Sequence, residues 1–243
     1  MALSHIQQWF DTPLGKKLLN AEVSALHPFL PHIFGYHLLQ IGSVGKGQLF
    51  QDSRISYRFF ITDNPQINVA PPYLYGELDN LPFCPDCMDV VLLPHVMEFA
   101  DNPHQILREV ERVLIPEGYA IILGFNPISL WGLWRWCGTR RKTLPWSGRF
   151  LPIFRLQDWL TLLGFRVVET HTFFFDLPFE NARLAKYTSL LDTIGNKWMW
   201  HLGAVYLLIA QKQVATLTPI KPSWITQQTL VPEVISTPFG TKK

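Results

Sequence analysis

The chain has 243 residues, of which 48% are hydrophobic and 16% charged, with a formal net charge of +2. That excludes a disordered chain and fits one large α/β domain with an added segment or tail; it also offers no bulk charge for nucleic acid. Three cysteines do not make a secreted disulfide framework. The opening MALSHIQQWF has no basic–apolar–small signal pattern and no apolar run reaches a membrane span, so a reducing cytoplasm is expected.

Residues 1–35 read as an N-terminal helical segment. Ile6, Trp9, Phe10, Leu14, Leu18, Leu19, Val23, Leu26 and Leu30 form broken apolar stripes at helical spacing. Such a segment covers a sheet edge or the mouth of a site. YHLLQIGS at 36–43 is a first strand, SYRFFIT at 56–62 a second, and a weak third lies between Tyr73 and Glu77. Residues 81–127 then read as loop, buried strand, loop, amphipathic helix, turn, buried strand. MDVVLL is apolar and β-branched, as a parallel strand covered on both faces requires. HQILREVERVL places Ile106, Leu107, Val110, Val113 and Leu114 on one stripe, with Arg108, Glu109, Glu111 and Arg112 between them. Asp101 or Asn102 caps this helix, Pro103 suits its first turn, and Pro116 and Gly118 stop it before the strand YAIILGF.

Residues 128–157 alternate Trp131, Trp134, Trp136 and Trp146 with Arg135, Arg140, Arg141, Lys142, Arg149 and Arg155. This Trp/Arg-rich insertion reads as a packed crossover that doubles as a lid. A patch for an anionic partner and a peripheral membrane contact are the competing readings, and no nucleic-acid-binding motif is present. RLQDWLTLLGF is a helix ended by Gly164, FRVVETHTFFF a strand, 181–198 a helix-like stretch, and GAVYLLIAQKQ a final strand. The domain spans 36–213; residues 214–243 are Thr/Pro-rich with a basic end and read as a flexible tail.

A strand–helix–strand unit in an open sheet crosses over right-handed, and ligands sit at the carboxyl ends of the strands. Here those ends are Pro94-His95-Val96 and Phe125-Asn126-Pro127. The motifs around them resemble the middle motifs of the class I S-adenosylmethionine-dependent methyltransferases (methyltransferase type 11-like). The residues that carry the resemblance are Leu81-Pro82-Phe83, Asp89-Val90-Val91 and Leu107-Arg108-Glu109-Val110-Glu111-Arg112-Val113-Leu114, with Pro116-Glu117-Gly118 in place of Pro-Gly-Gly. It extends over roughly 36–212. The whole chain looks most like a bacterial group with a GYHLLQ-type first strand and a degenerate glycine loop. The resemblance implies a Rossmann-like seven-stranded sheet with helices on both faces, S-adenosylmethionine as cofactor, and methyl transfer; the acceptor is unidentified, and the nine tryptophans point to a small, hydrophobic one. The alternative is a fold that has lost turnover and serves as a binding or regulatory partner.

Site residues follow from that resemblance. Gly42-Ser43-Val44-Gly45-Lys46-Gly47 leaves the first strand where a ligand approaches closely; its spacing is not that of a dinucleotide fingerprint. It is one residue longer than the family's loop, and Gln40 stands at the position of the acid that holds the donor's ammonium group. A neutral amide there makes a bond of roughly 0.5–1.5 kcal/mol against roughly 1.5–3 for a charged partner, so binding about tenfold weaker is expected. The plain alternative is a tight turn with no ligand. Asp63 is the expected acceptor for both ribose hydroxyls, or else a turn residue of Asp63-Asn64-Pro65. Glu77 is expected at the adenine amino group with the Leu78 backbone facing the ring, and Asp79 takes its place if the alignment slips. His95 is expected beside donor and acceptor, as a general base or an orienting group, or else as a hydrogen-bonded loop histidine. Asn126 is expected to bind a polar group of the acceptor. Glu98 is read as a possible helix cap and Asp89 as structural. Cys84-Pro85-Asp86-Cys87 lacks two further zinc ligands unless Cys137 and a distant histidine supply them, and no metal is expected.

Overall fold

Seven strands form one sheet in the order β3-β2-β1-β4-β5-β7-β6. The structure, a computed structural model, describes residues 2–63, 72–136, 144–176 and 202–213. The helix expected over 181–198, Cys137, the basic run 140–142 and the tail lie outside them. The strands are β1 His37–Ile41, β2 Tyr57–Thr62, β3 Tyr73–Tyr75, β4 Met88–Pro94, β5 Leu114–Phe125, β6 Phe165–Phe173 and β7 Val205–Lys212. Strands β1 to β5 pair in parallel. β7 is antiparallel to both β5 and β6.

The central strands are continuous apolar runs because they are covered on both faces. Val90, Val91, Leu92 and Leu93 of β4 and Ala120, Ile121, Ile122 and Leu123 of β5 are fully buried. The parallel pairing of β1 with β2 and β4 brings the ends of all three strands to one edge of the sheet. Asp89 fixes part of this arrangement: its Oδ2 accepts from Tyr36 N (2.9 Å) and His37 N (2.8 Å), so it is structural.

The connecting helix α3, Pro103–Val113, starts as expected, with the Asn102 side chain accepting from Gln105 N. Its interior differs from the expectation of a solvated Glu109. Glu109 is buried; its Oε2 accepts from Leu81 N (2.9 Å) and from Arg112 Nη2 (2.7 Å). Arg112 also donates to the carbonyls of Phe83 (2.9 Å) and Leu81 (3.0 Å). The Arg112 hydrogen bonds hold the Glu109 carboxyl below its ordinary range, against the opposing effect of its burial. The two motifs that stand apart in sequence are thus one latch, which fixes the loop ahead of β4. The expected turn after α3 is a bulge inside β5: Met88 pairs with Leu114 while Val90 pairs with Tyr119, and Glu117 takes φ 64°.

The N-terminal segment folds as α1, Ala2–Phe10, and α2, Pro13–Leu26, followed by a short 3-10 turn at Leu30–His32. Thr12 caps α2 by accepting from Gly15 N (3.2 Å). The buried face of α2 carries Leu14, Leu18, Glu22 and Leu26 at a spacing of four, with Leu19 beside them. Helix α4, Leu130–Trp136, and helix α5, Ile153–Leu162, follow β5. Gly164, at φ 84°, ends α5 as expected. No helix among the described residues is long and apolar enough to cross a membrane.

Candidate functional site

Among the described residues, the carboxyl edge of the sheet has an open half and a covered half. In the open half, Gly42 N donates to Ile61 O (2.8 Å) and Gly76 N to Thr62 O (3.1 Å), so the exits of β1, β2 and β3 lie side by side. Asp63 follows β2 and is half-buried; Glu77 follows β3 and is exposed. Leu78 is buried in the core and pins the segment that presents Glu77. Asp79 is exposed. The Glu109–Arg112 latch holds Leu81 and Phe83 a few residues further on. Two carboxylates therefore follow adjacent strand ends, and a carboxylate is an acceptor suited to hydroxyl and amino donors.

The glycine turn lies between the halves. Gly42, Gly45, Lys46 and Gly47 all take left-handed φ, at 85°, 76°, 46° and 95°. That conformation costs little for glycine and more for other residues, so the sequence is required by the backbone. Short 3-10 turns within Val44–Phe50, interrupted by the left-handed Gly45, Lys46 and Gly47, stand in place of the helix that usually leaves such a turn. A side chain at Gly45 would come within 2.9 Å of Leu19 Cδ1, so α2 rests directly on the turn. Lys46 Nζ meets Asp11 Oδ1 at 3.2 Å on the outside.

Gln40 departs from its expected role. It is fully buried, and its Nε2 donates to Gly42 O (3.2 Å) and Val44 O (2.8 Å). An amide can staple two carbonyls in this way and a carboxylate cannot, which gives a physical reason for glutamine at the end of this lengthened loop. Its Oε1 has no hydrogen-bond partner. Ser43 is buried at the turn, and its side chain does not cap the following stretch.

The covered half centres on His95. It leaves β4 at φ 53°, a strained value that histidine and asparagine tolerate better than most residues. His95 Nε2 lies 2.7 Å from Glu22 Oε1 and Nδ1 lies 3.3 Å from Glu98 Oε1, and all three side chains are buried. Glu98 Oε1 also accepts from Phe125 N at 2.6 Å, so Glu98 ties the exits of β4 and β5 together and is no helix cap. Burial by itself would lower the imidazole; the Glu22 charge and hydrogen bond, with those of Glu98, override it and push His95 up to about 9. Burial pushes the Glu22 carboxyl upward, against the pull of His95. Both ring nitrogens of the expected general base are thus engaged by buried carboxyl groups, which matches the alternative expectation of a hydrogen-bonded loop histidine. Glu22, which sequence reasoning missed, had one signal: an acid at a stripe position four residues from both Leu18 and Leu26.

Asn126 is also spent inside the protein. Its Nδ2 donates to Gly203 O (3.0 Å) and its Oδ1 accepts from Ile128 N (3.0 Å), so it joins the β5 exit to the start of β7 instead of facing an acceptor. The described part of the Trp/Arg segment is packed in the same way. Trp131 is fully buried, donates to Asp176 O (2.7 Å) and stacks near Phe125, with ring centroids 5.9 Å apart. Phe150 lies 5.1 Å from Phe125, and Phe125 lies 4.2 Å from the His95 ring. Ile128, Leu130 and Leu133 remain exposed around α4. In the CxxC, Cys87 Sγ donates to Cys84 O (2.8 Å), and burial with Cys84 pushes the Cys87 thiol up to about 11, away from the reactive thiolate.

This geometry agrees with what the chain is similar to. The sequence profile of a methyltransferase-domain family matches residues 60–122. The uncharacterized protein YafS of Escherichia coli K12 is 34% identical over 221 residues, covering 88% of this chain and 85% of that one. Among solved structures, a SAM-dependent methyltransferase from Thermotoga maritima aligns with a TM-score of 0.59 at 19% identity, over 80% of this chain and 89% of that chain. The chain solved in complex with the Trm112 methyltransferase activator of Haloferax volcanii aligns with a TM-score of 0.64 at 16% identity, over 88% and 98%. The chain belongs to the class I S-adenosylmethionine-dependent methyltransferase family.

Proposed function

We propose that this protein binds S-adenosylmethionine and transfers its methyl group to a small, apolar acceptor. The observation that supports this best is the open half of the carboxyl edge, where a left-handed glycine turn is flanked by Asp63 and Glu77. Asp63 accepts from the ribose hydroxyls, Glu77 from the adenine amino group, and the chain around Leu78 lies along the ring. The donor, when bound, brings an already activated methyl group, so the protein contributes placement, worth about 7–11 kcal/mol in well-oriented reactions. Phe10 and Phe125 pack against His95, with Trp131 on Phe125, and keep water from that part of the edge. His95 holds its loop as an imidazolium between Glu22 and Glu98. Calorimetric titration of the full chain with S-adenosylmethionine and S-adenosylhomocysteine tests the reading. Micromolar binding is expected, and absence of binding at millimolar ligand refutes it.

The second reading, a fold without turnover that acts as a binding or regulatory partner, is favoured by two observations. Gln40 serves its own loop, and both ring nitrogens of His95 are taken by Glu22 and Glu98. Ligand binding with no transfer to any small-molecule acceptor would select it.

A further inference from the structure

Two buried oxygens beside the glycine turn lack a hydrogen-bond partner: Gln40 Oε1 and Glu22 Oε2. Gln40 is anchored by Nε2 to the carbonyls of Gly42 and Val44, so its Oε1 sits against the turn. Glu22 approaches from the other side. Its helix touches the turn through Leu19, one helical turn earlier, and its own Oε1 lies on His95 at the exit of β4. The two exits are in contact, since a side chain at Gly42 would lie 3.3 Å from Val96 Cγ2. Burying an acceptor without a donor costs free energy, and burying a carboxylate costs more. The single imidazole of His95 faces two buried carboxyl groups, those of Glu22 and Glu98. Glu98 Oε2 and the Tyr206 hydroxyl are likewise buried without partners on the far side of His95. The ligand that resolves this arrangement is a cation that only donates, which is the description of an ammonium group.

We propose that Glu22, delivered by α2, supplies the carboxylate that position 40 lacks, and that Glu22 and Gln40 together seat the ammonium of the donor's amino-acid end. This rests on the donor-binding reading above. In this chain the amide at 40 holds the loop and the negative charge comes from the N-terminal helix instead. The seat is closed in this structure, where Glu22 and Gln40 are both fully buried.

The test is calorimetric titration of the full chain with three ligands. They are S-adenosylhomocysteine, its deaminated analogue lacking only the ammonium, and 5′-methylthioadenosine, which lacks the whole amino-acid end. The wild type is expected to bind S-adenosylhomocysteine at least about tenfold more tightly than the deaminated analogue. Glu22→Gln is expected to lose about that factor for S-adenosylhomocysteine and to keep its affinity for 5′-methylthioadenosine. Equal binding of S-adenosylhomocysteine and the deaminated analogue by the wild type overturns the proposal, as does a Glu22→Gln effect that is the same for both adenosyl ligands. In either case measurable binding leaves the donor reading standing. If the wild type binds none of the three, both readings fall. Should Glu22→Gln not fold, the wild-type comparison decides by itself.

Discussion

The two halves of the carboxyl edge solve opposite problems. At the ends of β2 and β3, Asp63 is half-buried and Glu77 exposed, both within reach of solvent. At the ends of β1 and β4, Gln40, Glu22, His95 and Glu98 are buried and bonded to one another or to the backbone. Carboxylates near water cost little and can exchange partners, while carboxylates in the interior must be paired and so become part of the fold. Function at the first half is therefore separable from stability, and at the second it is not.

Substitutions can break this contrast. The largest effect is expected from His95→Ala, which leaves Glu22 and Glu98 buried without their shared partner. Removing one member of a buried ion pair costs about 3–5 kcal/mol, to be read by urea denaturation. The same site gives a pH signature. His95 binds its proton more tightly folded, near 9, than unfolded, near 6.5. The stabilisation is complete below about 6.5 and is lost as pH rises through about 9, up to roughly 3 kcal/mol. Glu22, also raised, acts in the same direction at lower pH. A denaturation series from pH 6 to 9.5 should slope downward in the wild type and flatten in His95→Gln; a flat wild-type series would show that the imidazole is not ionised.

Asp63→Ala should do the reverse. Losing two charge-assisted hydrogen bonds at roughly 1.5–3 kcal/mol each should weaken S-adenosylhomocysteine binding about 100-fold or more, with a smaller loss of stability than His95→Ala. A large loss of stability there would end the distinction between the halves. Gln40→Glu sharpens it on the covered side. A carboxylate facing the carbonyls of Gly42 and Val44 forfeits both staples, at about 2 kcal/mol, even though it restores the family's usual charge. If Gln40→Glu instead tightened donor binding without destabilisation, the staple would be dispensable. The smallest effect is expected from Glu77→Gln, about tenfold or less in affinity and none in stability, measured by the same titration.

Much of the architecture was legible in the chain. The runs 88–93 and 119–125 are too uniformly apolar for anything but covered strands, and the stripe of α3 with Asn102 and Pro103 marks a helix start by local chemistry alone. Asp89 was readable as structural. Less legible were residues whose partners lie far away in sequence. Glu109 looked like a surface charge until Leu81 and Arg112 met it. The segment 115–118 looked like a turn because a bulge uses the same residue types. Asn126 has polar groups suited to a substrate, and Gly203, 77 positions away, takes one of them.

By itself the sequence determined the order of strands and helices and the left-handed glycine turn, because periodicity, capping and backbone sterics act over a few residues. Only the tertiary structure decided which acids stay at the surface and which are enclosed. That choice depends on what is packed above each strand end, and here it is the placement of α2, 73 residues from His95 along the chain, that turns a candidate base into an enclosed cation.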